Sequence, residues 1–154
     1  MNHKCLLAIA VGIIFLIIKC GSNTQSHNEE KETNPVKDTM ATDKGVGKFK
    51  EVQLSHPLIE SDVAEGQSIY SSKCFACHKL TDEKLVGPGW KGVTNRRTPE
   101  WIMNFITNTN VMLDSDLVAQ QLMVICVSRM PNQQLTDDDA RDVLEFMRAI
   151  DGKN

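Results

Sequence analysis

Aromatic side chains are scarce: two Trp, one Tyr and five Phe among 154 residues, or 5%. So few rings exclude a broad stacking platform for nucleic-acid bases. An excess of positive charge is also missing. Lys and Arg number 17 against 20 Asp and Glu, a formal net charge of −3, whereas a phosphate-backbone binder needs a broad basic face. No apolar run reaches the roughly 20 residues of a transmembrane helix, which excludes a multi-span membrane protein. The 5 cysteines are too few and too irregularly spaced to staple a fold. What is present, 41% apolar and 24% charged residues, suits one soluble globular domain with an appendage. The cysteines are then expected to do something other than stapling.

The appendage is N-terminal. Lys4 precedes an unbroken apolar segment from Leu6 to Ile18, and Lys19-Cys20-Gly21-Ser22-Asn23 follows. A basic start, a short apolar core and a polar continuation are the parts of a secretory signal. The segment resembles a bacterial lipoprotein signal, in which Cys20 would be the acylated residue, although Lys19 stands where a small residue is usual. The expected division is a signal over 1–19, a flexible polar tether over 20–58, and a folded domain over 59–154. The tether is rich in Asn, Thr, Ser, Lys, Glu and Asp with no sustained apolar period, so it cannot bury enough surface to offset its ordering entropy. Such a chain would carry the domain off a membrane on an r.m.s. reach of about 30–35 Å.

The remaining residues carry helical patterning and no hairpin signal, so the fold class is all-α, with about four helices. Ser61 or Asp62 is expected to cap a first helix bearing Val63, Ile69 and Tyr70. Thr98-Pro99-Glu100 is a helix start: a capping hydroxyl, a proline for the first turn, and an acid at the positive end of the dipole. Trp101 and Phe105, and Ile102 and Ile106, follow at i, i+4. A third helix is expected over Asp114–Val127, with Leu117, Leu122, Ile125 and Cys126 among its buried positions. Thr136 and Asp137–Asp139 open the last helix, whose apolar stripe is Ala140, Val143, Leu144, Met147 and Ile150. A domain of only about 95 residues gains its core more easily by wrapping a large apolar cofactor.

The strongest chemical signal is Cys74-Phe75-Ala76-Cys77-His78, the C-x-x-C-H attachment signature of a c-type haem. Two thiols three residues apart on a helical turn reach two vinyl groups on one porphyrin edge, and the next residue brings His78 beneath the iron. A thioredoxin-like dithiol would want a βαβ setting, and half of a zinc site would want a second Cys/His pair; neither pattern is present. Attachment of such a haem outside the cytoplasm agrees with an export signal.

With these residues in view, 62–151 resembles a class I cytochrome c, a small monohaem electron carrier. Gly66 and Tyr70 match the family's glycine and aromatic on its first helix, and Val143 and Phe146 match the partner positions on its last. Gly87-Pro88-Gly89-Trp90-Lys91-Gly92 resembles the Gly-Pro-x-Leu-x-Gly loop, in which the proline carbonyl, here that of Pro88, receives the histidine Nδ1–H. Trp90 replaces the usual leucine and is expected to pack on the haem. Arg96 matches an arginine near the propionates, with Arg97 beside it. The resemblance implies one covalently attached haem c, with iron ligated by His78 and by a methionine preceding the last helix. Met130-Pro131 occupies that place, with Met112 and Met123 in reserve and His56 as a bis-histidine alternative. Such a thioether favours ferrous iron and raises the potential.

Cys126 is expected to pack as a small apolar residue, or else to bring a thiol near the distal face. Residues 73–97 carry a net +4, whereas 114–151 carry −5, so the attachment side is expected to be the positive end of a dipolar molecule. The implied function is single-electron transfer, without catalysis, between respiratory partners in the bacterial periplasm: a donor, and a terminal oxidase or nitrogen-oxide reductase. A haem-based sensor or a small haem enzyme with a labile sixth ligand is the alternative.

Overall fold

Six helices build the described part of the chain, residues 44–126 and 128–154 of a computed structural model: α1 (Glu60–Ile69), α2 (Val93–Arg96), α3 (Pro99–Thr107), α4 (Thr109–Ser115), α5 (Leu117–Ile125) and α6 (Asp137–Ile150). No strand occurs among these residues, only an isolated bridge between His78 and Lys84. No helix among them is long and apolar enough to cross a membrane. The expected signal over 1–19, the lipidation site Cys20 and the first part of the expected tether lie outside the described residues.

Two of the helix starts follow from the local chemistry anticipated above. Thr98 accepts a hydrogen bond from the Trp101 amide at 3.1 Å, with Pro99 in the first turn of α3. Thr136 and Asp139 form a reciprocal capping box on α6, at 3.1 and 2.9 Å. Each satisfies amides that a helix start leaves without intrahelical partners. The first helix differs from expectation. It starts two or three residues earlier, at Glu60, and its N-cap is Ile59, which has no side-chain cap.

The core is set by α1 crossing α6. At Gly66, a Cβ would stand 2.0 Å from the Asp142 carbonyl oxygen and 2.8 Å from the Phe146 Cβ. Only glycine permits that approach, because the obstructing atoms include the backbone of α6 itself. Ala140, Val143, Leu144, Phe146 and Met147 are buried along α6, and Trp101, Ile102, Met103 and Ile106 along α3. Ile150 is only partly buried at the end of the stripe.

Two expectations are corrected here. The tether does not extend to residue 58, because 44–58 packs along the domain. The buried amide of Asn104 receives the Phe49 N–H at 2.9 Å and donates to the carbonyls of Lys44 and Phe49 at 2.8 and 2.9 Å. Glu100 accepts the Val52 N–H, and Arg148 donates to the Ser55 carbonyl at 3.0 Å. Phe49, Val52 and Leu54 pack against the core. Side chains far along the sequence thus supply partners for a stretch whose own composition offers no period.

The expected single helix over 114–127 is in fact two. Asp116 interrupts it, capping α5 by accepting the Ala119 N–H at 2.8 Å and also taking the Trp101 indole N–H at 3.2 Å. Leu117 and Ile125, expected inside, are 74% and 54% exposed, and Leu122 and Cys126 are half-buried. At 100° per residue, Leu122, Cys126, Ala119 and Met123 share one side of α5, while Leu117, Val124 and Ile125 share the other.

Candidate functional site

A helical irregularity brings the attachment motif to the core. After α1 the chain widens into a π-helical turn, Tyr70–Cys74, in which the Phe75 amide reaches the Tyr70 carbonyl at 2.9 Å. Such widened turns recur at functional positions. The motif then makes one further helical turn, with the Cys77 and His78 amides both bonded to the Cys74 carbonyl at 3.0 and 2.9 Å. Cys74 is buried and Cys77 half-buried, and both thiols are free. Burial pushes the Cys74 thiol up to about 11, opposed by the nearby Lys73 charge and aided by Cys77. Before attachment, the thiol is therefore neutral at pH 7.

The loop after the motif folds back over it. The Gly87 amide bonds to the Cys77 carbonyl at 2.9 Å, and the Trp90 amide to the Lys79 carbonyl at 2.9 Å. This places the Pro88 carbonyl 2.8 Å from His78 Nδ1. A carbonyl only accepts, so Nδ1 carries the proton and Nε2 keeps its lone pair. Burial lowers the His78 pKa, with the Pro88 bond opposing, so the neutral ring is favoured. A Cβ at Gly87 would lie 2.3 Å from His78 Cε1, so the residue must be glycine for the loop to lie flat on the ring. Tyr70 completes the clamp: its hydroxyl donates to the His78 carbonyl at 2.7 Å. Its ring packs against Trp90, Phe146 and Phe75, with centroids 4.9, 5.6 and 6.4 Å away.

His78 opens onto a predominantly apolar cavity. Pro88, Trp90, Val93 and Cys77 line it near the motif; Trp101, Ile102, Phe105 and Ile106 line it from α3; Leu122, Met123, Cys126, Met130 and Pro131 line it from α5 and the following segment. Arg96 and Arg97 also border it. The structure thus brings Cys77, His78, Pro88, Trp90, Arg96 and Met130 to one cavity, with Cys74 one helical turn away. The buried Trp90 ring lies 5.7 Å from the imidazole. Arg96 is exposed, and its guanidinium donates to the Lys91 carbonyl at 2.6 Å. Arg97 lies over the Trp101 ring, 5.1 Å from its centroid.

Of the other candidate ligands, Met112 and His56 are engaged away from the cavity, whereas Met123 borders it as Met130 does. Met112 is fully buried on α4, and its sulfur accepts the Val46 N–H. His56 bonds through Nδ1 to the Asn154 carbonyl and does not line this cavity. Met123 and Cys126 do line it. Cys126 therefore lines the same cavity as Met130 and is half-buried rather than a fully buried packing residue.

Two contributors escaped sequence reading. The Tyr70 hydroxyl was visible only as an aromatic on a helix. Asp151, just beyond α6, accepts the Gly92 amide, the Thr94 amide at 2.9 Å and the Thr94 hydroxyl at 2.7 Å. It ties the end of the clamping loop to the C-terminus of α6, and no local pattern announces a partner 57 residues away.

These residues fit a covalently held haem. Two free thiols share one helical turn, an imidazole is fixed with Nε2 available, and the adjoining space is bounded mainly by apolar side chains. Among the described residues, no cluster of three His, Cys, Asp or Glu side chains offers a rival metal site.

Comparison with known proteins gives the same result. The family model described as cytochrome c matches residues 63–151. A solved cytochrome c from Rhodothermus marinus is 32% identical, with a TM-score of 0.67 over 74% of this chain and 96% of that one. An engineered cytochrome c from the same organism is 30% identical, with a TM-score of 0.66 over 75% and 97% of the two chains. The same engineered protein bound to a carbene intermediate is also similar, with a TM-score of 0.64, 30% identity and 75% and 97% coverage. No curated protein gives a significant match.

Proposed function

The chain belongs to the cytochrome c family and is a haem electron carrier with haem c attached through Cys74 and Cys77; from that premise we propose that His78 and Met130 would hold its iron and that it works as an exported, membrane-anchored respiratory carrier. The haem supplies a one-electron iron couple when bound. The residues do the rest. Pro88 and Tyr70 hold the His78 ring and backbone, so Nε2 keeps one direction and its basicity is raised. Met130, stiffened by Pro131, borders the same cavity and is the thioether proposed as the second ligand, with Met123 on the same wall as the reserve. Trp90, Ile102, Phe105 and Ile106 exclude water, and an apolar surrounding favours the less charged, reduced centre.

The observation that carries this reading is the 2.8 Å bond from His78 Nδ1 to the Pro88 carbonyl beside a cavity that Met130 also lines. Reduced and oxidised spectra of wild type and Met130→Ala test it. The sulfur-to-iron band is expected in oxidised wild type and absent from the variant, whose potential falls by on the order of 100 mV. An unchanged band would overturn Met130 ligation. Carbon monoxide should bind the reduced variant readily and the wild type poorly; rapid full binding to wild type favours the sensor or enzyme reading.

Export to the bacterial periplasm and acylation at Cys20 rest on the N-terminal pattern. The partners are a respiratory donor and a terminal oxidase or nitrogen-oxide reductase. Lys73 and Lys79 flank the attachment motif in sequence, Lys79 pairing with Glu83 at 2.6 Å, and Lys84 and Lys91 follow in the next loop, with Phe75 and Leu85 exposed at 65% and 46%. This end is proposed to dock weakly on acidic partner surfaces, with rates falling as salt rises. Rates independent of salt with a purified partner would refute that docking mode.

A further inference from the structure

One apolar surface takes no part in the cavity. On the outer side of α5, Leu117, Val124 and Ile125 are 74%, 86% and 54% exposed, and Val111 on α4 is 41% exposed. The nine residues of α5, Leu117–Ile125, include no charged side chain. The charges at its margins are already engaged: Asp114 pairs with Arg129 at 2.8 Å, and Asp116 is buried against Trp101 and the Ala119 amide. Isolated exposed apolar residues are ordinary, but a charge-free helix face with neutralised margins suits a partner of low polarity.

The point where the N-terminal arm meets the domain identifies that partner. Gly45 lies against the Met112 side chain, the Val46 amide bonds to the Met112 sulfur, and Val46 itself is 39% exposed. Met112 belongs to α4, which packs on α5. Lys44 also meets Asn104 and Glu100 of α3, so the arm joins the domain against α3 and α4. Only 23 residues lie between Cys20 and Lys44, and the tether expected from the sequence over that stretch would have an r.m.s. reach of about 27 Å. A domain held that close to a bilayer meets it at high effective concentration.

We propose that the outer face of α5, Leu117, Val124 and Ile125 with Val111 beside them, rests on the phospholipid surface to which the chain is anchored. This rests on the Cys20 anchor put forward above. Because the opposite side of α5 carries Leu122, Met123 and Cys126 into the cavity, the contact would set that wall of the cavity toward the membrane and leave the lysine-rich attachment end free for redox partners.

The test uses full-chain holoprotein from a host that matures it, bound to vesicles of phosphatidylethanolamine and phosphatidylglycerol. Flotation and the mass of the Cys20 peptide report the anchor; amide hydrogen exchange over 109–125 reports the docking. Wild type should float, and its α5 amides should exchange about tenfold more slowly than in soluble Cys20→Ser, with α1 and α6 unchanged. The double variant Leu117→Gln/Val124→Gln should float equally but lose that protection. Wild type that floats with unprotected α5 overturns the docking and leaves the anchor standing. Protein that neither floats nor carries acyl mass overturns both. Protection arising without lipid, together with a dimer in sedimentation, assigns the face to a second copy. Protection in native membranes but not in pure lipid assigns it to a protein. Either result overturns the proposal.

Discussion

The two sides of the cavity are built by different means. On the His78 side, almost every contact is specified by a particular atom: the Tyr70 hydroxyl on the His78 carbonyl, the Pro88 carbonyl on Nδ1, and glycines at 66 and 87 where a Cβ would collide. On the Met130 side, the wall is a short helix with half-buried Leu122 and Met123, whose outer face exposes Leu117 and Val124, and, at 128–136, residues without regular structure. One side is closed by hydrogen bonds and backbone contact within the protein; the other offers chiefly apolar side chains. The contrast teaches that imidazole geometry is fixed by directional bonds, whereas the thioether side is shaped by non-directional apolar packing.

Substitutions on the two sides should therefore differ in cost. The largest effect is expected from Gly66→Ala, whose Cβ would meet the backbone of α6 at 2.0 Å. Forcing α1 and α6 apart should cost about 3 kcal/mol in denaturant unfolding of the holoprotein. A loss below about 1 kcal/mol would mean that the crossing yields easily. Next is Tyr70→Phe, which leaves the His78 carbonyl without its 2.7 Å donor. The expected cost is about 1.5 kcal/mol, accompanied by a change in the histidine–iron vibrational band that a purely structural loss would not produce.

Thr136→Ala removes the α6 cap and should cost about 1 kcal/mol. The same capping box gives a pH signature. The Thr136 backbone and side-chain hydrogen bonds hold the Asp139 carboxyl below the ordinary carboxylate range. A depressed folded-state value stabilises above the unfolded value and is lost as pH falls through the folded one. The stability difference between wild type and Asp139→Asn should accordingly be present at neutral pH and shrink in acid; a difference that grows on acidification contradicts the assignment. The smallest effect is expected at Val124→Gln, on a side chain 86% exposed. In solution it should change unfolding stability by less than about 0.5 kcal/mol; a larger loss would show that the outer face of α5 is covered in the monomer.

How far the sequence could be read depended on the range of the interaction. Thr98 and Thr136 were legible as caps because capping is settled within three residues. Asp116 falls in the same class, yet the apolar run around it masked the break between α4 and α5, and Leu117 and Ile125 were placed on the wrong side. The segment 44–58 was unreadable for another reason. Its order comes from Asn104, Glu100 and Arg148, which lie 48 to 93 residues away along their hydrogen bonds.

Local order determined the attachment motif, the helical class and the family, because thiol spacing, helix period and caps are properties of adjacent residues. That Met112 is turned away from the cavity while Met123 and Met130 border it, that Cys126 lines it too, that Tyr70 steadies His78, and that one side of α5 faces outward were decided only when distant segments met. Those outcomes depend on close packing and on pairing buried polar groups, and neither can be evaluated until the chain has closed on itself.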